Sequence, residues 1–477
     1  MVFGQAGKTL QSFSIHAHFY QPPREDPITG MIPQEAGAAP YPNWNEKIYS
    51  ECYQPNARLG NFERISFNIG PTLFEWMAGR DLSTCQQIVA QDQANVRRFG
   101  VGNAMAQPSH HTILPLATTQ DKRTQIIWGL EQFEHRFGRK AQGMWLPETA
   151  VDYETLKILA EQGIQFTVLA PWQAQEEDID VTEPYRVELP GGGSIAVFFY
   201  HSGLSGGISF NPGMTVNADQ FVRHELVNHF RLDKLIQGEP QILVIASDGE
   251  LYGHHQQLRD YFLAHLVNGA SSSMGLKPTY LALWLREHPP RRSIQIRERT
   301  SWSCFHGVSR WAANCGCVPG DQAWKSHLRN AFDHLAQRLD GLYVGALNTI
   351  VPDVWTLRDR YIRVQLGQQR MDELLAELAG KRLPIDTVMR AQFHLEAQLM
   401  RQRMYASCGW FFDDFDRIEP RNSVAYAAQA VRLVQVASGI DLARQLLAEL
   451  RLVVSPRTGL RGDQVLAGHL NRASYMP

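Results

Sequence analysis

The sequence is short of cysteine, of net charge and of long apolar runs. Six cysteines in 477 residues (Cys52, Cys85, Cys304, Cys315, Cys317 and Cys408) are too few for a disulfide scaffold, so cytoplasm is the expected compartment. Lys and Arg number 46 against 48 Asp and Glu, which gives no electrostatic reason to expect nucleic acid or an anionic membrane as partner. No stretch is apolar enough to span a bilayer. Lys8 is followed by no apolar run of signal-peptide length, which argues against secretion by that route. No solenoid repeat and no low-complexity tract occurs. The chain stops at RASYMP without a closing element, as a piece of something longer would.

What is present is an ordinary globular composition, 44% hydrophobic and 20% charged, in a chain long enough for two domains or three. The first 300 residues alternate apolar runs with helical patterns. SFSIHAHFY (12–20), RISFNIG (64–70), NAMAQP (103–108), GMWLPE (143–148), IQFTVLAPW (164–172) and QILVIAS (241–247) read as strands. Between two of them, Asp152 can cap a helix starting at Tyr153 that Gly163 ends, which makes a βαβ unit and implies a parallel sheet. YRVELPGGGSIAVFFY (185–200) reads as a hairpin around Gly191–Gly193, and FVRHELVNHFRLDKLI (221–236) as one helix. After about residue 318 strands stop. Trp324, Leu328, Phe332, Leu335 and Leu339 form the apolar stripe of the first of several amphipathic helices.

In such α/β sheets, function collects at the C-terminal ends of the strands. Those ends carry His16, His18, Tyr20 and Gln21; Gln107; Trp145 and Glu148; Trp172; and Asp248, Glu250, Tyr252, His254 and His255. Trp302 and His306 follow near residue 300. Carboxylates, imidazoles and aromatic rings together suit a sugar. Rings stack on the apolar face of a pyranose, and the polar groups bind hydroxyls. Two carboxylates on separate strands suit glycosidic cleavage, where one stabilises or attacks the anomeric carbon and the other protonates the leaving oxygen. Each residue also has a bland explanation: a loop carboxylate, an Asp-Gly turn, a core tryptophan, surface histidines.

HAHFYQPP, GMWLPETAVD and SDGELYGHH, in that order and at these distances, resemble glycoside hydrolase family 57. The resemblance covers roughly residues 12–310. It implies an incomplete (β/α)7 barrel over 1–317, followed by an all-helical extension of unknown function over 318–477. It also implies retaining chemistry on α-glucans, as amylase, 4-α-glucanotransferase or branching enzyme. Glu148, in Trp145-Leu146-Pro147-Glu148, matches the family's nucleophile, and Asp248 its general acid/base. His16 or His18 matches a substrate-binding histidine. Tyr20, Trp145, Trp172, Tyr252 and Trp302 are then candidate sugar platforms. Gln21, Glu250, His254, His255 and His306 are candidates for binding or for setting pKa values, and Gly249 and Gly253 for letting the backbone approach the sugar. A retaining mechanism requires carboxyls about 5–5.5 Å apart. No cofactor and no metal is expected, and the partner is the α-glucan.

Two rival functions remain at this point. A metal-dependent polysaccharide deacetylase would gather His16, His18, Asp248 and His254 or His255 around Zn²⁺. A silent barrel would bind carbohydrate without turnover. CFHGVSRWAANCGC also brings Cys304, His306, Cys315 and Cys317 close in sequence, but its C-x-C is tighter than the usual C-x₂-C of zinc sites, and buried free cysteines are the expectation.

Overall fold

The computed structural model describes residues 10–473. The readings placed on the first nine residues and on the closing Ser474–Pro477 lie outside that range. The described chain forms two compact units, and they are interleaved in sequence where a single cut at 317/318 was expected. The first takes residues up to 21, 34–107 and 136–298, and the second takes 22–33, 108–135 and 299 onward.

The first unit is built on strands β1 (Gln11–Phe19), β2 (Ser66–Ile69), β3 (Ala104–Met105), β4 (Phe166–Leu169), β5 (Tyr185–Glu188), β6 (Ser194–Phe199), β7 (Gln241–Asp248), β8 (Lys277–Pro278) and β9 (Arg292–Ser293). β3, β2, β1 and β7 are consecutive parallel neighbours, with β8 also on β1; a second sheet runs β4-β6-β5-β9. Parallel bridges Ala106–Met144 and Gly143–Phe166 link the two sheets, and the His201 N–H donates to the Val244 carbonyl at 2.7 Å from beyond the end of β6. The fold is thus α/β with a parallel sheet, as read. Both faces of these strands are covered, which is why β7 is apolar from Ile242 to Ala246.

β1 alternates, yet it too is buried from Ser12 to Phe19. Phe13, Ile15, Ala17 and Phe19 lie on one face, and Ser12, Ser14, His16 and His18 on the other. The apolar face packs on rings: Phe19 lies 5.2 Å from Tyr53 and 5.0 Å from Phe62. The start of β3 is fixed by Asp92. Its carboxylate accepts from the Ala104 N–H at 2.8 Å and is gripped by two nitrogens of Arg139 at 2.7 and 2.8 Å. Because Asp92 is fully buried, Arg139→Met should cost about 3–5 kcal/mol by leaving a buried charge uncompensated. A thermal midpoint within a degree of wild type would contradict this.

The Asp152 cap is present, accepting from Thr155 N–H at 2.7 Å, and β5 and β6 form the antiparallel hairpin with Gly191, Gly192 and Gly193 all at positive φ. Two expectations change. The strand over 143–148 shrinks to bridges at 143 and 144, because Pro147 has no N–H to continue a ladder and opens a tight turn, Pro147–Thr149. The helix over 221–236 is broken at Phe230. There the buried Gln241 side chain accepts from Arg231 N–H at 2.8 Å and donates to its carbonyl at 2.9 Å, holding an extended residue between two helical pieces.

The second unit is helical: Thr119–Phe137, Ala323–Leu347, Val354–Gln365, Met371–Ala379, Ile385–Arg403, Ile418–Ser438, Ala443–Leu450 and Gly462–Ala473. The expected stripe from Trp324 to Leu339 is buried. A buried charge cluster joins its helices. Asp121 accepts from Arg401 at 2.8 Å and lies 3.1 Å from Arg358. Burial alone would raise the Asp121 carboxyl, but the two guanidiniums outweigh it and hold it at about 2. Among the described residues no helix is long and apolar enough to cross a membrane.

Candidate active site

The polar face of β1 is the floor of the site. In the parallel register His18 lies beside Asp248 on one side and Asn68 on the other, and His16 lies beside Ala246 and Ser66. Residues in register on adjacent strands point to the same face, so strand pairing alone places His18, Asn68 and Asp248 in one row.

Asn68 organises both histidines. Its Nδ2 donates to His18 Nδ1 at 2.9 Å and to Gln107 Oε1 at 2.5 Å, while its Oδ1 accepts from His16 Nε2 at 3.2 Å. His16 Nδ1 is 3.0 Å from the Ser66 hydroxyl, which also reaches Met105 Sδ at 3.5 Å. This network assigns the proton of each imidazole to Nε2. Burial pulls His16 down to about 3, with His18 adding to it, and pulls His18 down to about 4, so both rings are neutral at physiological pH.

Glu148 stands on the Pro147–Thr149 turn with φ of 57°, and Thr149 follows at 49°. Two adjacent non-glycine residues in the left-handed region are strained and persist only where the surroundings fix them. Gln173 supplies the fixing. This buried side chain donates to the Thr149 carbonyl, and its Oε1 accepts from the Thr149 hydroxyl and the Ala170 N–H, each at 2.8 Å. If Glu148 reacts with substrate, Gln173→Leu should lower kcat about 10–100-fold with KM little changed, because a misplacement near 1 Å costs on that order. Unchanged kcat in a folded variant would remove Gln173 from the account.

Asp248 ends β7. Water reaches it, unlike every other residue of that strand, yet protein surrounds it closely. Burial first, and the negative charge of Glu148 second, raise its carboxyl to about 7. A recessed carboxyl that water touches from one side satisfies both facts. Glu250 is buried; burial and then the Asp248 charge push it up to about 8, against the pull of hydrogen bonds from Tyr53, at 2.8 Å, and Gln21. At neutral pH Asp248 is therefore about half-protonated, and Glu250 is mostly uncharged.

Several expected roles are corrected by burial. Trp145 is fully buried, with the His16 ring stacked 4.5 Å and the His18 ring 5.3 Å away, so it supports the histidines and offers no face to a sugar. Tyr252 is also fully buried, 3.2 Å from the Ser247 hydroxyl. Gly249 and Gly253 answer to protein, since a Cβ would lie 2.5 Å from the Phe19 ring at the first and 2.2 Å from the Glu51 carbonyl oxygen at the second, where φ is +134°. Gly253→Ala should destabilise the first unit by at least about 1–3 kcal/mol from backbone strain alone, which a thermal melt would read. His254 donates from Nδ1 to Glu51 at 2.6 Å, and His255 is exposed beside it. Tyr20 is half-buried, 6.1 Å from the His18 ring. Trp172 is exposed, edge-on to Tyr200 at 6.0 Å, and so can present a face. Trp302 and His306 fall in the second unit, where His306 Nδ1 is 3.4 Å from Cys317 Sγ.

Asn68, Tyr53 and Gln173 were missed from the sequence. Asn68 had a signal, being with Ser66 one of two polar side chains buried within RISFNIG. Tyr53 and Gln173 had none, since their roles depend on contacts 197 and 24 residues away in the chain.

Residues 39–296 match the model of a family described as "Glycosyl hydrolase family 57", and residues 321–465 match a domain of unknown function. An α-amylase of Pyrococcus horikoshii is 28% identical over 217 residues, 44% of this chain and 31% of the amylase. A 4-alpha-glucanotransferase of Thermococcus litoralis is 25% identical over 219 residues, 44% of this chain and 30% of that enzyme. The match thus spans less than a third of these relatives. The solved structure of an exo-type maltose-forming amylase from Pyrococcus sp. ST04 superposes with a TM-score of 0.72 at 16% identity, covering 92% of this chain and 82% of its own, a likeness of fold.

Proposed function

The chain belongs to glycosyl hydrolase family 57, and from that premise we propose that it acts on α-glucans with retention, Glu148 serving as nucleophile and Asp248 as acid and base. The observation that carries this reading is the pairing of the two carboxyls: burial first, and the charge of Glu148 second, raise Asp248 to about 7, so that it holds a proton part of the time near neutral pH. The seven parallel segments β1, β2, β3, 143–144, β4, β6 and β7 support an incomplete (β/α)7 barrel around them.

In the first step Glu148 attacks C1 and the C1–O bond breaks, while Asp248 gives its proton to the departing oxygen. The ester formed on Glu148 is uncharged. One of the two causes holding the Asp248 carboxyl up is then gone, and it stays a carboxylate able to take a proton from the incoming acceptor. Water as acceptor releases free sugar, and a glucan hydroxyl gives transfer. The neutral His18 donates from Nε2 to a sugar hydroxyl, with His16, Asn68 and Trp145 fixing its plane. Trp172 and Tyr20 stack on the glucan, and His255 binds at its edge. The scarcity of cysteine favours the cytoplasm as the enzyme's compartment.

The deacetylase alternative needs His16 and His18 to ligate metal, but His16 has both ring nitrogens engaged by Ser66 and Asn68. A silent barrel would have no use for a carboxyl held at about 7 beside a second one.

Incubation of the full chain with maltooligosaccharides, followed by proton NMR, tests the reading: the α-anomer should be the first product. First release of the β-anomer would remove the retaining mechanism, and no turnover on any α-glucan would remove the substrate class. For the free enzyme kcat/KM should fall as pH rises through about 7, because Asp248 must carry its proton to act as acid.

A further inference from the structure

Cys304, His306, Cys315 and Cys317 lie in a stretch of the second unit whose one regular element between 299 and 318 is the single turn Ser309–Trp311. Their four ligand atoms all fall within 4.8 Å of one another. Cys304 Sγ and Cys317 Sγ are 3.7 Å apart, and Cys317 Sγ and His306 Nδ1 are 3.4 Å apart. Zinc bond lengths of about 2.3 Å to sulfur and about 2.0–2.1 Å to nitrogen, set at the tetrahedral angle, require about 3.8 Å between two sulfurs and about 3.5 Å between sulfur and nitrogen. The two contacts match those edges. A sulfur–sulfur separation of 3.7 Å is far too long for a disulfide, whose bond is about 2.05 Å.

Free cysteines packed as small hydrophobes would be buried together. Here Cys304 alone is buried; Cys315 and Cys317 are half-exposed and His306 is exposed. The backbone serves the cluster instead. Gly316 takes φ of 71° between the two cysteines of the C-x-C turn, which lets both thiols face one point. The N–H groups of Arg310 and His306 aim at Cys304 Sγ, and that of Phe305 aims at Cys317 Sγ. Such bonds orient ligands from outside the ligand set.

Charge supplies an independent observation. Lys325 is fully buried, its Nζ has no hydrogen-bond partner, and it lies within electrostatic reach of Cys315, Cys304 and Cys317. A buried ammonium without an acceptor is costly. Zn²⁺ with three thiolates and a neutral imidazole carries a net charge of about −1, which the Lys325 ammonium offsets.

We propose that Cys304, His306, Cys315 and Cys317 bind one Zn²⁺ in a closed tetrahedral site that staples residues 299–318. Four protein ligands leave no open position, so the role is structural. It also explains why C-x-H and C-x-C serve here in place of C-x₂-C, since each short turn supplies two ligands and the chain between them closes the ring.

The test is metal analysis of the full chain, produced without a polyhistidine tag in zinc-supplemented medium. About one zinc per chain is expected, with none in Cys304→Ser or Cys317→Ser and full content in Cys408→Ser, a cysteine outside the cluster. Anaerobic exchange of the wild type into Co²⁺ should give visible bands of a tetrahedral ion with thiolate charge transfer, a readout that needs no variant to fold. Removing the metal should open 299–318 to protease. Zinc-free wild type that also takes up no Co²⁺ with thiolate bands would overturn the proposal, as would zinc retained after both serine substitutions.

Discussion

Glu148→Gln should reduce turnover of maltooligosaccharides by about 10⁴–10⁶-fold, the scale on which loss of a nucleophile is felt when its partners remain. The amide fits the same turn, so the thermal midpoint should stay near wild type and the loss be chemical. In Glu148→Ala, which does vacate that side of C1, added azide should attack an α-glucosyl fluoride and yield the β-glucosyl azide. Glu148→Gln also tests the electrostatics. With the Glu148 charge removed, burial alone acts on Asp248 and its carboxyl should titrate below about 7. Carbon NMR on labelled aspartate would read this; an unmoved titration would mean the two carboxyls are not coupled.

Asp248→Gly should lower turnover of ordinary glucans by about 10²–10⁴-fold, the usual range for a general acid, but should scarcely slow formation of the glycosyl-enzyme from a glucosyl fluoride, whose leaving group needs no proton. Azide should now give the α-glucosyl azide, retention being kept because Glu148 still reacts first. Equal losses on both substrates would show that Asp248 binds or folds rather than transferring a proton.

The α/β fold, the helices after residue 318 and the position of Glu148 and Asp248 just after apolar runs were legible because local pattern encodes them. The run QILVIAS followed by Asp248 reads as a covered strand whose last residue emerges. Glu148 is visible as a carboxylate after Pro147, a residue that ends strands. What was not legible rests on long-range pairing. Helix Thr119–Phe137 shows its apolar residues in sequence, but Asp121, Thr124, Gln125 and Trp128 decide its unit. They bond to Arg401, Arg358, Gln402 and the carbonyls of Arg358 and Asp359, more than 200 residues away, and no spacing announces that. The same limit explains the platforms. Trp145 and Trp172 both follow strands, but only register shows that two histidines of β1 cover the first and leave the second open.

The closeness of the four thiol and imidazole ligand atoms was hidden for a related reason. C-x-C spacing was weighed against known zinc motifs, whereas the relevant quantity is the distance between ligand atoms once the chain has folded back at Gly307 and Gly316.

The central claim is that a covalent glycosyl-enzyme forms on Glu148. It is tested most directly by treating the full chain with 5-fluoro-α-glucosyl fluoride, which forms the ester readily and leaves it slowly, and sequencing the labelled peptide by mass spectrometry. The proposed mechanism requires one fluoroglucosyl group per chain, on Glu148 within the peptide around Trp145–Ala150. Label on another carboxylate, or turnover of an α-glucan with no covalent label at all, would contradict it.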